Sequence, residues 1–133
     1  MLNLSFNKLE MFPNVPDLLK ELYISNNKIY SIPNHLPKFL IKLIINENNV
    51  EKVPNLPDSL VFFSASNNRI KELPKNLPNS LISLIVNNNF IEKLPELPKT
   101  LKVLEVAHNR FTNKYVKYLK QITSSLQDCL LRV

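Results

Sequence analysis

Two histidines, one cysteine and a recurring set of cations are the residues of this chain with the chemistry to act on another molecule. His35 stands between Pro33 and Pro37, and His108 stands immediately before Asn109. Neither has a serine or cysteine at a spacing that would make a nucleophile–base pair, so both read as surface histidines. Cys129 is the single cysteine; no disulfide can form within the chain, which fits a reducing compartment. It lies among apolar residues near the C-terminus, where a buried structural thiol is the expected role. The chain contains no glycine, hence no glycine loop to cradle a phosphate, and no cluster with metal-ligand spacing. The expectation is a chain that is not an enzyme, with no catalytic residue, no metal and no cofactor.

The cations are better organised. Lys8, Lys28, Arg69 and Arg110 follow regularly spaced asparagines, with Asn49 and Phe90 in the same place in two other rows. The net charge is +6 and the isoelectric point near 9.5, so a ladder tracking phosphates is one alternative reading. Glu10, Glu51 and Glu92 stand two residues further on, however, and mixed signs describe a solvated face better than a nucleic-acid track.

Regularly spaced asparagines set the frame on which these side chains stand. Asn7, Asn27, Asn48, Asn68, Asn89 and Asn109 are 20, 21, 20, 21 and 20 residues apart. A fixed period of this length is the mark of a solenoid. Around each asparagine runs Leu-x-x-Leu-x-Ile-x-x-Asn-x-Ile-x-x-Leu-Pro, as in Leu40, Leu43, Ile45, Asn48, Val50 and Val53. The first row, with Leu2, Leu4, Asn7, Leu9 and Phe12, lacks only its first leucine. The Leu-x-Ile alternation predicts a strand with one buried face, and stacked strands a parallel sheet with a spacing of about 4.8 Å. The asparagine column has a mechanical role, since an amide can satisfy inward-pointing backbone groups of two turns together.

All ten prolines fall in pairs: Pro13/Pro16, Pro33/Pro37, Pro54/Pro57, Pro74/Pro78 and Pro95/Pro98. Proline fixes φ, donates no hydrogen bond and extends the residue before it, which excludes a helix there and predicts a polyproline-like back to the coil. Without glycine, the left-handed turn positions are expected to fall to Asn and Asp. These rows resemble the leucine-rich repeat family over about residues 1–112. "LPELP" at Leu94–Pro98 and "LPKNLP" at Leu73–Pro78 are similar to the short repeats of bacterial type-III effectors of the YopM and IpaH kind. Some relatives of the IpaH kind are ubiquitin ligases with a catalytic Cys-x-Asp motif. Here the order is Asp128-Cys129-Leu130-Leu131 and their catalytic domain has no counterpart, so that activity is not expected to carry over.

The fold expected is therefore an α/β solenoid dominated by β structure, with a concave parallel sheet, an extended convex side and a C-terminal capping helix. Residues 1–111 form about six repeats, and 112–133 the cap. Tyr115, Leu119, Ile122, Leu126 and Cys129/Leu130 make the apolar stripe of that helix, with Lys114, Lys117, Lys120, Gln121 and Gln127 opposite. Solenoid function usually lies on the concave face. There Tyr23, Ile44, Phe62, Ile85 and Val103 put large apolar groups where solvent should be, a candidate interface for an unidentified protein partner. The alternative is self-assembly. At the N-terminus Leu2, Leu4, Leu9 and Phe12 face solvent and the Leu2–Ser5 strand is an unpaired edge, which predicts a homodimer formed there. With no signal segment or membrane span in the sequence, the expected setting is the cytoplasm or nucleus, of a host cell should the protein be viral or an effector.

Overall fold

In the computed structural model the period-two segments become parallel strands: β1 Leu2–Asn3, β2 Glu21–Tyr23, β3 Lys42–Ile44, β4 Phe62–Ser64, β5 Ser83–Ile85 and β6 Val103–Glu105. Helix α1 follows at Asn113–Ser124, and strand β7 at Leu130–Arg132. The structure describes residues 1–126 and 129–133. Gln127, expected on the polar side of the helix, and Asp128, before the cysteine, lie outside the described residues. The seven strands form one sheet in chain order, with Leu22, Leu43, Phe63, Leu84 and Leu104 in register across it. Those five residues are fully buried, as are Ile24, Ile45, Ala65, Val86 and Val106 beside them. Burying each aliphatic side chain contributes roughly 1.5–3 kcal/mol, and it is the neighbouring turn that buries it.

The second proline of each pair closes the back of the coil. The carbonyls of Pro16, Pro37, Pro57, Pro78 and Pro98 accept the N–H of Leu19, Leu40, Leu60, Leu81 and Leu101, each at 3.0 Å. A tight turn therefore delivers the first leucine of every row into the core. Isolated parallel bridges join successive turns on this side, Lys52 to Glu72 just before the first proline of the pair and Asn76 to Glu96 between the two prolines.

Two expectations need correction. The left-handed positions are Phe6, Asn26, Glu47, Asn67, Asn88 and His108, with φ between 54° and 59°. Asparagine fills three of them, but Phe, Glu and His fill the others. The stacked turns dictate the backbone there whatever the side chain, and a non-glycine residue pays about 1–2 kcal/mol in steric cost for it. The second correction is at the C-terminus, where the helix was expected to run on to residue 133. It stops at Ser124, and Leu130–Arg132 pair with Val103–Glu105. Strand β6 would otherwise leave its backbone groups open. Instead Leu130 donates to the Lys102 carbonyl at 2.7 Å and Val106 donates to the Arg132 carbonyl at 2.8 Å. Leu130 thus leaves the helical stripe and stands beside Val103, 49% exposed.

Helix α1 begins on Thr112, whose hydroxyl oxygen accepts the Tyr115 N–H at 3.2 Å. Leu119 is fully buried, and Tyr115, Ile122, Leu126 and Cys129 pack around it against the core. The Tyr115 hydroxyl accepts the Leu94 N–H at 2.8 Å, which ties the helix to the proline segment of the preceding turn.

Candidate functional site: the concave sheet

Three ladders of side-chain hydrogen bonds fix the geometry of the face. In the asparagine ladder, Asn68 Oδ1 accepts the Val50 N–H at 2.9 Å while its Nδ2 donates to the Ile45 carbonyl at 2.9 Å and to Ala65 and Ser66 in its own turn. Asn27, Asn48, Asn89 and Asn109 repeat the pattern, each bonding its own turn and the one before. Among the described residues Asn7 donates to Leu4 and Ser5, within its own turn. The ladder is buried at Asn48, Asn68 and Asn89, partly buried at Asn27 and Asn109, and exposed at Asn7.

Two further ladders run beside the asparagines. Ser5, Ser25, Asn46, Ser66 and Asn87, which look like a small polar stripe, present side-chain oxygens to the next turn. They accept the N–H groups of Ser25, Asn46, Ser66, Asn87 and Ala107 at 2.8–3.2 Å. In the tight turns ahead of the strands, the hydroxyls of Ser59, Ser80 and Thr100 each place their single proton between two carbonyls of the preceding turn. The signal for both was a hydroxyl or amide at one fixed place in successive rows. Side-chain bonding of this density ties each turn to the next.

On that face Tyr23, Ile44 and Ile85 share one column, and Phe62 and Val103 the neighbouring one; all five are half-buried. Between them Ser64 and Ser83 are buried, so the surface dips where the large groups stand around small ones. Lys42 Nζ lies 5.9 Å from the Tyr23 ring centre and 5.4 Å from that of Phe62, a cation held over two aromatic faces. The Tyr23 hydroxyl donates to Glu21 at 2.9 Å, and Glu105 takes Arg132 at 2.7 Å and the Asn87 amide at 3.1 Å. One column was overlooked. Ile41 and Ile82, both 40% exposed, flank Val61 at the start of adjacent strands. Three β-branched residues after the first leucine of consecutive rows were the available signal.

The chemical candidates are scattered. His35 and His108 are both exposed, on different turns, and burial pushes the Cys129 thiol up from its ordinary value, away from a reactive thiolate. Among the described residues no three His, Cys, Asp or Glu side chains form a group that could hold a metal ion, and no helix is long and apolar enough to cross a membrane. Lys8, Lys28, Arg69 and Arg110 are exposed on one rim; Arg110 stacks 4.4 Å from the Phe90 ring, and Glu51 pairs with Lys71 at 3.9 Å close by. An open hollow of about 840 Å³ lies on the proline side, floored by Pro54, Pro74 and Pro95 and edged by lysines and glutamates. Its repeating lining marks it as a furrow between turns, with no convergent polar groups to define a ligand.

A leucine-rich repeat family model matches residues 18–39. No curated protein matches the sequence. Among solved structures, the leucine-rich repeat domain of a Shigella effector is 23% identical and superposes with a TM-score of 0.75, over 98% of this chain and 79% of that one. YopM from Yersinia enterocolitica and YopM from Yersinia pestis are 31% and 32% identical, with TM-scores of 0.59 and 0.61. They cover 80% and 79% of this chain, which itself spans only 28% and 36% of theirs. Stacked parallel strands, a repeating asparagine ladder and these likenesses give the chain the leucine-rich repeat fold. Its repeats are similar to those of the YopM effectors.

Proposed function

We propose that the concave sheet binds a protein partner and that the chain performs no chemistry of its own. Leucine-rich repeats are interaction scaffolds, and the observation that carries the reading to this face is the placement of Tyr23, Ile44, Phe62, Ile85 and Val103 on its adjacent turns. Soluble surfaces seldom gather apolar groups this way unless something covers them, and aromatic side chains are the usual anchors. The work would be done in a reducing cytoplasm or nucleus. The test compares proteins retained by the wild-type chain with those retained by the Ile44→Ser/Phe62→Ser double variant. Loss of a reproducible partner set, with circular dichroism and melting temperature unchanged, supports the reading. Retention of the same set by the folded variant rejects it.

Self-association through the first turn is a second reading, favoured by one observation. Leu2, Leu4, Leu9 and Phe12 are only half-buried, and the outer edge of β1 has no strand beside it among the described residues. Antiparallel pairing of two β1 edges about a twofold axis would cover both.

A further inference from the structure

The column of Ile41, Val61 and Ile82 runs on to a charged residue at each end. From the second to the sixth turn it reads Lys20, Ile41, Val61, Ile82, Lys102: three aliphatic residues with a cation at either end. The residues form one continuous backbone ladder. Ile41 donates to the Lys20 carbonyl at 2.7 Å, Val61 to Ile41 at 2.9 Å, Ile82 to Val61 at 2.9 Å and Lys102 to Ile82 at 2.8 Å. Phe62 adjoins Val61 and widens the apolar strip. Both terminal lysines are exposed, and neither has an ion pair among the described residues. The nearby acids are engaged: Glu21 accepts the Tyr23 hydroxyl, and Glu105 is held by Arg132 and Asn87.

Resting on the proposed concave-face reading, we infer that the partner presents an extended apolar segment with a carboxylate at each end, laid across the strands. Four steps of about 4.8 Å give roughly 19 Å between the two lysine positions, close to six extended residues at about 3.3 Å each. In an extended segment alternate side chains face the strip, so a segment six steps long would set two apolar groups over Ile41, Val61 and Ile82 while carboxylates at its two ends reach the lysines. An ammonium beside apolar surface attracts a carboxylate more than one in open water does, and the preference weakens with salt. A chain of net charge +6 also steers such a segment inward.

The probe is a fluorescein-labelled heptapeptide, aspartates at both ends and threonine alternating with two leucines between them so that leucines and aspartates share one face, titrated against the whole chain by fluorescence anisotropy. A second peptide carries lysines at both ends. The aspartate peptide should bind at least about tenfold tighter at low salt, since two ion pairs add to the same apolar contact, and the advantage should shrink at high salt. In the Lys20→Glu/Lys102→Glu variant the preference should reverse, with circular dichroism unchanged. Equal binding of both peptides, lost in Ile41→Ser/Ile82→Ser, would overturn the carboxylate assignment while leaving the concave reading standing. Absence of binding by either peptide would overturn the proposed segment outright. The underlying reading fails separately, if the folded Ile44→Ser/Phe62→Ser variant keeps its partners.

Discussion

The buried amides of Asn48, Asn68 and Asn89 each carry bonds that no other side chain of their turn can supply. In Asn68→Ala the Val50 N–H loses its acceptor inside the core and the Ile45 carbonyl keeps only the longer bond from Asn48 at 3.4 Å, a cost of about 1–3 kcal/mol. Asn7 bonds only within its own exposed turn, so Asn7→Ala should cost distinctly less. Urea denaturation of both variants checks the difference; equal and negligible losses would dismiss the ladder as the mechanical element. Glu47 offers the opposite sign. It holds φ of 54° with an exposed side chain, so Glu47→Asn, which tolerates the left-handed region better, should raise stability by roughly 0.5–1 kcal/mol in the same assay. The asparagine column was legible because each row repeats it. The individual left-handed residues were not, because the stacked turns impose the conformation and Phe6, Glu47 and His108 give no local sign of it.

At the scale of elements, the strands could be read directly, since Leu-x-Ile alternation recurs in register and a slip of one residue would turn each strand inside out. The paired prolines likewise announce an extended back. The C-terminal segment misleads because two periods overlap there. Leu126 and Cys129/Leu130 continue the helical spacing of Tyr115, Leu119 and Ile122, while Leu131 and Val133 repeat the alternation of Leu104 and Val106. The open edge of β6 decides between them, and no local propensity records that edge. Two measurements follow. The Leu130 amide should exchange slowly with solvent and show extended-chain chemical shifts; helical shifts there would contradict β7. Leu119→Ala, which hollows the contact between helix and last turns, should cost about 2–5 kcal/mol in denaturant unfolding.

For the molecule as a whole, a coil stabilised by neighbour contacts is weakest at its ends. If β1 edges pair, light scattering during gel filtration at tens of micromolar should give a dimer mass that Leu4→Lys converts to monomer; a monomer in both cases would remove the self-association reading. How far the concave face was legible divides along the same lines. Tyr23, Ile44, Phe62, Ile85 and Val103 could be picked out because the repeat register assigns each residue a direction. The column from Lys20 to Lys102 was passed over because its place, just before the strands, says little about exposure until the turns are stacked. Site-specific crosslinking separates the proposed concave face from the rest of the surface as the place where a partner is met. A photoreactive benzoylphenylalanine placed at Phe62 should yield a discrete adduct in cells, whereas the same probe at Tyr30 or Tyr118, exposed away from the strands, should not. Adducts at Tyr30 or Tyr118 with none at Phe62 would contradict the account.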